Sequence, residues 1–548
     1  MSCVTSSPLP DVNALRAWKL DWLTPIRCRM ILVAVLAFGF FGHLRYLNHN
    51  CPIALSGDEA HYWDWSRQLD WSYYSKGPLV AYIIRASCAL FGDTMAAVRY
   101  PALVLALGVS LATYWLARKL FESDRVALGA VLLYHLVPMF MAGSVLMTID
   151  PPFFFCWGLA TCFAAKAIFD GRRWAWVALG LAVGVGFLAK YAMFLWLVSL
   201  LVFLIIDRDA RKYLRSRWPW MATGIALLFT TPVIVWNARN GWVSLWHVTR
   251  QTGTGSEASF EIGNPLEFIG GQIGALGPML VVILVGAAVY ALSRRGSVDP
   301  HRRGMRFLAC IGLTYFGIVG ITSLRTKIQV NWPAPAYFTL MILAAYFLGT
   351  RLQNRSLWKP WRVWLWGTVA TGFAFMPLAH NTELIYPLVG RISRMVSKKE
   401  PTAKWDFSYK LRGWEQLGQR VSKELATLNP GAFVLCANYQ VTAEMAFYVK
   451  GQPKTYYVGS WYQNPEERTR QSQYDLWPDR RLDNAALFGR DAVFIGYTPP
   501  ADLRAAFESM ESIPDETIVR SGLMVRTFQM WRCKSFKGMR RPVGEGTF

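Results

Sequence analysis

The run Met30-Ile31-Leu32-Val33-Ala34-Val35-Leu36-Ala37-Phe38-Gly39-Phe40-Phe41 is soon followed by Ser56-Gly57-Asp58-Glu59-Ala60-His61-Tyr62-Trp63. The first stretch, with its continuation to Leu47, is almost purely apolar. The second holds two adjacent carboxylates. Ionised groups so close to hydrocarbon are costly to desolvate, so a structural role is not the obvious one. Asp58 and Glu59 are placed to bind a cation or take a proton at a membrane surface.

Composition agrees. Of 548 residues, 53% are hydrophobic and 15% aromatic, and the apolar residues come in long runs. The formal net charge of +23 could suggest nucleic acid. The basic residues argue otherwise, because they cluster in short gaps between apolar runs. Such clusters mark an integral membrane protein and favour anionic headgroups. Nucleic acid is therefore not an expected partner.

Runs of roughly 17–25 apolar residues predict about eleven membrane helices. They fall near 30–47, 97–116, 126–143, 151–169, 174–189, 191–206, 218–236, 269–292, 305–323, 334–350 and 361–378. Residues 1–29 form an N-terminal tail with Arg16, Lys19, Arg27 and Arg29. Alternate gaps are basic: Arg118, Lys119 and Arg125; Arg172 and Arg173; 208–217; 294–306; 351–362. The positive-inside rule makes the N-terminus cytoplasmic. An odd helix count puts the C-terminal tail outside. No small-residue cleavage site follows the first helix, which reads as an uncleaved signal anchor.

The fold class is thus mainly α, a polytopic membrane domain over 30–378 with an outer loop at 48–96. The loop predicts an interfacial helix over 60–69 and another over Leu79–Phe91, opened by Pro78 and lying along the membrane. Beyond residue 400 the apolar runs shorten. Strands at 432–436, 454–458 and 492–496, with a helix around 443–449, predict a small extracytoplasmic α/β domain over 400–548. The nine cysteines show no CxxC pair and no zinc spacing. Cys436 and Cys533 are the pair that could bridge in the outer domain.

This topology gathers Asp58, Glu59, Lys76, Asp150 and Lys190 on one face, away from cytoplasmic nucleotide sugars. Each has a plainer reading. Asp58 could cap the 60–69 helix, Glu59 could complement its dipole, and Asp150 before Pro151-Pro152 suits a helix start. Lys76 and Lys190 could snorkel to headgroups. His61 reads as an interfacial hydrogen-bonder and His247 as a loop residue.

Four motifs in order carry a resemblance: Gly57-Asp58-Glu59-Ala60-His61-Tyr62-Trp63, Tyr74-Ser75-Lys76-Gly77-Pro78-Leu79, Thr148-Ile149-Asp150-Pro151-Pro152 and Leu188-Ala189-Lys190-Tyr191. With Pro232 to Trp242 and Asn331-Trp332-Pro333-Ala334-Pro335, they resemble the polyprenyl-phosphate-sugar-dependent membrane glycosyltransferases. The branch is that of the bacterial protein O-mannosyltransferases and the lipid A aminoarabinose transferase. The resemblance implies a GT-C fold and transfer of a hexosyl or pentosyl group from a lipid-phosphate donor. The acceptor would be lipid A, another glycolipid, a glycan or a protein, outside a bacterial inner membrane. It also implies a catalytic Asp58, an active-site Asp150, and Lys76 and Lys190 on the donor phosphate. In the aminoarabinose transferases a Glu precedes the lysine matching Lys76; here it is Ser75. A metal site built on that Glu is not carried over, so a divalent cation would have to use Asp58 and Asp150.

The chemistry fits independently. Transfer from a polyprenyl phosphate needs a carboxylate that activates or positions the acceptor, directly or through a metal. It also needs positive charge on the departing phosphate, which an ammonium supplies as a point charge. A transporter or lipid flippase is the rival reading. It predicts midplane charges and symmetry between halves, and the sequence has neither.

Overall fold

The computed structural model describes residues 22–49, 51–252, 263–293, 298–353, 358–396, 402–406 and 408–542. Most of the predicted 1–29 tail lies outside these residues. The first membrane helix runs Pro25–Asn48, capped by Thr24 with Pro25 in its first turn. The other spans long and apolar enough to cross a membrane are Met95–Phe121, Asp150–Phe169, Arg217–Arg239, Arg302–Thr322 and Ala334–Leu352, and Trp358–His380 is a further long helix.

Six helical spans among the described residues are long and apolar enough to cross a membrane, or seven if one bent pair counts. The gap from about eleven has local causes. The predicted 126–143 span breaks into Asp124–His135 and Pro138–Gly143, because Pro138 cannot continue the helix. The predicted 269–292 span is two helices, Gly263–Leu276 and Pro278–Leu292, meeting at 106°. Gly277, at φ 83°, and Pro278 make that corner. Trp174–Ala189 and Phe194–Ile206 are apolar but short.

The two ends of the bundle are chemically distinct. At one end Asp124 pairs with Arg29 and Arg118, Asp170 with Lys119, and Asp207 with Arg303 and Arg306. These pairs link alternate basic gaps. At the other end lie the 48–96 loop, Asp150, Lys190 and the residues beyond 400.

This second end carries a five-stranded sheet in the order β2-β1-β3-β5-β4. Its strands are β1 (Phe433–Cys436), β2 (Thr455–Tyr457), β3 (Ala492–Ile495), β4 (Phe507–Arg520) and β5 (Leu523–Phe536). The first three are parallel neighbours, and β5 joins β3 and β4 antiparallel. Cys436 on β1 and Cys533 on β5 flank β3, so both are buried free thiols and the predicted bridge does not form.

The Tyr439–Tyr448 helix starts four residues earlier than the sequence predicts, because Asn438 caps it through Gln440 N–H. It packs between the sheet and the loop helix Gly57–Ser66. One buried cluster spans both sides: Tyr62, Trp63 and Trp65 from the loop with Ala443, Phe447, Tyr457 and Tyr474 from the tail. Buried polar links add to it. Asp64 accepts from the Tyr474 hydroxyl at 3.0 Å and pairs with Arg480 at 3.2 Å. The Tyr448 hydroxyl accepts from Leu55 N–H at 2.8 Å. Loop and tail are therefore packed as one body.

Candidate active site

The Gly57–Ser66 helix begins with a capping box: Ser56 accepts from Glu59 N–H, and Glu59 accepts from Ser56 N–H. Ser56, not Asp58, is thus the cap. The box also turns the two carboxylates apart. Glu59 is fully buried and faces Arg99, with contacts of 2.9 and 2.8 Å to its two oxygens. It accepts from Met147 N–H as well, at 2.9 Å. The structure does not bring Glu59 to the site with Asp58. The expectation of a catalytic Glu59 is corrected to an anchor that ties the loop helix to Arg99 and Met147.

Asp58 faces a cavity of about 320 Å³ whose lining includes Lys76, Asp150, Lys190, His247, Tyr439 and Arg470. Four of the five predicted site residues therefore converge. Burial pushes the Asp58 carboxyl up, opposed by the charges of Lys76 and Arg470 and by a hydrogen bond from Gln440. Burial and the nearby Lys190 push the Lys76 ammonium down to about 8.

Lys76 is held by its loop. A Cβ on Gly77 would sit 2.2 Å from the Leu188 carbonyl oxygen. Only glycine lets this loop press against the end of the Trp174–Ala189 helix, which places Lys76 beside Lys190. Lys190 caps that helix in extended conformation, so its side chain leaves the helix and meets Asp150 at 2.8 Å. Asp150 does not cap its helix. Its second oxygen accepts from Asn331 at 2.6 Å.

Both Asp150 oxygens are thus engaged, and no group of three or more His, Cys, Asp or Glu gathers among the described residues. A hard divalent cation needs several oxygen ligands. The predicted pairing of Asp58 with Asp150 around a metal does not match this donor set.

Four tail residues in the lining, Tyr439, Arg470, Gln471 and Ser472, went unread in the sequence. Arg470 lies over the Tyr439 ring at 4.8 Å and contacts His247 Nδ1 at 3.3 Å. No local motif surrounds it, and only the folded tail brings it to the cavity. His247, expected in a loop, and His61, expected at an interface, both line the cavity, and burial depresses each imidazole to about 3. Each is neutral at physiological pH.

Asp58 also borders a second cavity, of about 920 Å³, between the bundle and the sheet. The bundle contributes Met141, Val145, Leu146 and Leu378 together with Tyr46 and His380, and the tail contributes Lys410, Asn438, Arg526 and Gln529 together with Trp414, Val441, Ile495 and Phe528.

In three dimensions the chain is similar to ArnT from Cupriavidus metallidurans bound to undecaprenyl phosphate. The TM-score is 0.64 at 16% identity, over 94% of this chain and 98% of that one. The fold is the GT-C glycosyltransferase type. Residues 75–236 match the family described as dolichyl-phosphate-mannose-protein mannosyltransferase. The lipid A galacturonosyltransferase RgtD of Rhizobium johnstonii is 28% identical over 294 residues, covering 53% of this chain and 60% of the relative. An undecaprenyl phosphate-alpha-4-amino-4-deoxy-L-arabinose arabinosyl transferase of Pseudomonas aeruginosa is 33% identical over 185 residues, 31% of this chain and 33% of its own. The aligned stretches thus span less than two thirds of these curated relatives.

Proposed function

We propose that this chain is an integral membrane glycosyltransferase that moves a sugar from a polyprenyl-phosphate donor to an extracytoplasmic acceptor: lipid A, another glycolipid, a glycan or a protein. The single observation that carries the reading is Asp58 at the wall shared by two cavities, the smaller of them rich in cations. The relatives named for lipid A and undecaprenyl phosphate support it. So does the GT-C fold.

The donor phosphate lies among Lys76, Lys190 and Arg470 in this reading. The acceptor oxygen arrives through the larger cavity. As it attacks the anomeric carbon, its proton passes to Asp58 and the bond from that carbon to the phosphate oxygen breaks. Negative charge grows on the departing polyprenyl phosphate, where the cations stabilise it. Asp150 orients Lys190, and Glu59 positions the Asp58 helix. The positive charge that faces the phosphate comes from Lys76, Lys190 and Arg470, and no step is assigned to a divalent cation.

The site faces the extracytoplasmic side of a bacterial inner membrane, and the 400–548 domain lies on that side. The presence of Arg470 and Tyr439 in the lining supports this placement. The donor is then one already flipped across the membrane, and its polyprenyl tail stays in the bilayer beside the Leu79–Phe91 helix.

The test combines mass spectrometry of envelope lipids and glycans, with and without the protein, with donor kinetics of two variants. Lys76→Met and Lys190→Met should each raise the donor KM at least about tenfold, the size of one lost charge-assisted bond. Arginine at either position should restore part of that loss. Unchanged donor kinetics in both Met variants would reject the assignment.

A further inference from the structure

The last long helix of the bundle leads into a shorter one with two unlike faces. The Trp358–His380 helix exposes Val363, Trp366, Phe373 and Phe375, and its 361–378 stretch reads as a membrane span. After the short turn Thr382–Ile385 the chain forms the helix Tyr386–Val396. The turn is pinned from the tail. Arg412 pairs with Glu383 and donates to the Thr382 hydroxyl at 2.9 Å, and that hydroxyl donates to Asp406 at 2.6 Å.

One face of the Tyr386–Val396 helix packs on the tail. Tyr386 has no exposed surface, and its hydroxyl donates to Asp406 at 2.6 Å. A Cβ on Gly390, one turn later, would lie 3.4 Å from Leu523 Cδ2 on β5. The opposite face carries Leu388, Ile392 and Met395, at spacings of four and three that put side chains on one side of a helix. Leu384 precedes them in the turn. All four are 52–85% exposed. Single exposed apolar residues are ordinary on a protein surface, but a stripe in helical register is not. Arg391 and Arg394 are exposed beside it, and Arg394 donates to the Gly390 carbonyl of its own helix at 3.0 Å. Neither arginine pairs with a carboxylate among the described residues.

We propose that the Leu388–Ile392–Met395 face lies in the headgroup region of an anionic bilayer and seats the 400–548 domain on the membrane. The stripe continues, through one pinned turn, the exposed apolar surface of a helix that reads as a span. An apolar face with arginines beside it suits a helix in the interface plane, with its apolar side about 5–10 Å into the headgroup–acyl boundary. The arginine stems lie along hydrocarbon while their guanidinium groups stay among lipid phosphates. Tyr386 and Gly390 point the other way, so the helix forms a layer between lipid and the β4–β5 hairpin. None of the four stripe residues lines either cavity at Asp58. The inference therefore goes beyond the glycosyltransferase reading and does not depend on it.

Depth-dependent fluorescence quenching tests this on the full-length protein in vesicles. Leu388→Cys, Ile392→Cys and Met395→Cys are made singly in a variant lacking the native cysteines and labelled with an environment-sensitive fluorophore. Ala486→Cys, in an exposed turn of the tail, is the control. In vesicles containing phosphatidylglycerol, the three stripe labels should emit at shorter wavelength than the control. Lipids spin-labelled near the headgroup should quench them more than lipids labelled near the chain end. Quenching should weaken in purely zwitterionic vesicles, and the pair Arg391→Gln and Arg394→Gln should remove that difference. Emission as red as the control would overturn the proposal. So would blue-shifted emission without lipid quenching, which would mean that a protein, such as a second copy of this chain, covers the stripe. Equal quenching in both vesicle types would overturn the assignment of an anionic partner. Hydrogen exchange of the unsubstituted protein gives the same decision if the cysteine-free variant fails to fold: residues 386–396 should exchange more slowly in phosphatidylglycerol nanodiscs than in zwitterionic ones, and equal exchange would overturn the proposal.

Discussion

Replacing Glu59 by Gln should cost stability, whereas replacing Asp58 by Asn should cost turnover. The two side chains are adjacent, but the capping box sends them in opposite directions. Arg99 has no exposed surface, and Glu59 satisfies its charge through two short contacts. The remaining guanidinium contacts are the Ile53 and Ala54 carbonyls, at 3.1 and 2.7 Å, and Cys51 Sγ at 3.7 Å. None of these carries a charge to balance the cation. Removing one partner of a buried ion pair costs about 3–5 kcal/mol, because the other charge stays buried and uncompensated. Gln keeps an acceptor oxygen, so Glu59→Gln should fall near the lower figure and Glu59→Ala near the upper. Asp58 shares its field with Lys76 and Arg470 and accepts from Gln440, and Asp150 lies beside the same lysine. The change of Asp58 to Asn should move stability by less than about 1 kcal/mol, yet lower turnover by at least about a hundredfold, as loss of a general base does. Unfolding in mixed micelles, followed by tryptophan fluorescence, reads the first quantity. Product formed per folded molecule in membranes reads the second. A stable but inactive Glu59→Gln would refute the anchor assignment. Near-normal turnover by Asp58→Asn would refute the base.

Other outcomes follow from the same geometry. The Lys76 ammonium, pushed down to about 8, is charged at neutral pH and loses its charge as pH rises through that value. Donor affinity should therefore fall between about pH 7 and about pH 9, while Lys76→Arg should flatten the profile; a flat wild-type profile would contradict the phosphate role. Gly77→Ala puts a methyl group 2.2 Å from the Leu188 carbonyl oxygen; it should destabilise the protein by about 1–3 kcal/mol and weaken donor use, and normal values of both would show that the loop can move. Because both Asp150 oxygens are engaged by protein donors, transfer should survive a chelator such as EDTA, and activity restored only by added metal would show otherwise. In a Cys-less variant, single cysteines near Asp58, near Asp150 and in the tail should all react with an impermeant reagent added outside; labelling of the tail alone, or of all three only from inside, would break the proposed orientation.

Much of this was legible in the sequence for identifiable reasons. Apolar length and alternating basic gaps carry the membrane class, because hydrocarbon tolerates little else. Asp58, Lys76, Asp150 and Lys190 stood out because charge at a membrane edge is rare and each lies in a local motif. Glu59 shares that signature, yet its partner is Arg99, forty residues on, and no local pattern announces a buried pair. Arg470 and Arg526 were hidden for the opposite reason: in a polar, basic tail, one more arginine is unremarkable until the fold brings it to a cavity. The β4–β5 hairpin also went unread. Its strands alternate only loosely, and Pro514 lies at a register shift between Ile513 and Glu516. Its turn, however, was written in the sequence: Ser521 and Gly522 both take positive φ, as a two-residue type I′ turn requires.

The 400–548 domain lines both cavities at Asp58. Asp58 is on the ten-residue helix Gly57–Ser66, in the loop between two long helices of the bundle. What fixes that helix is the tail: Tyr474 and Arg480 on Asp64, Tyr448 on Leu55 N–H, Gln452 on Arg67, and the shared aromatic cluster. The same tail supplies Gln440 to Asp58, Arg470 to the smaller cavity and Arg526 to the larger. The bundle supplies Asp150 and Lys190, rigid at helix ends. In the proposed reaction, a carboxylate that meets a lipid-anchored donor on one side and an acceptor on the other cannot sit inside either body alone. It has to lie where they join, and the join must be stiff enough to hold Asp58 near both reactants. The buried Glu59–Arg99 pair and the loop–tail core provide that stiffness from opposite sides of one helix.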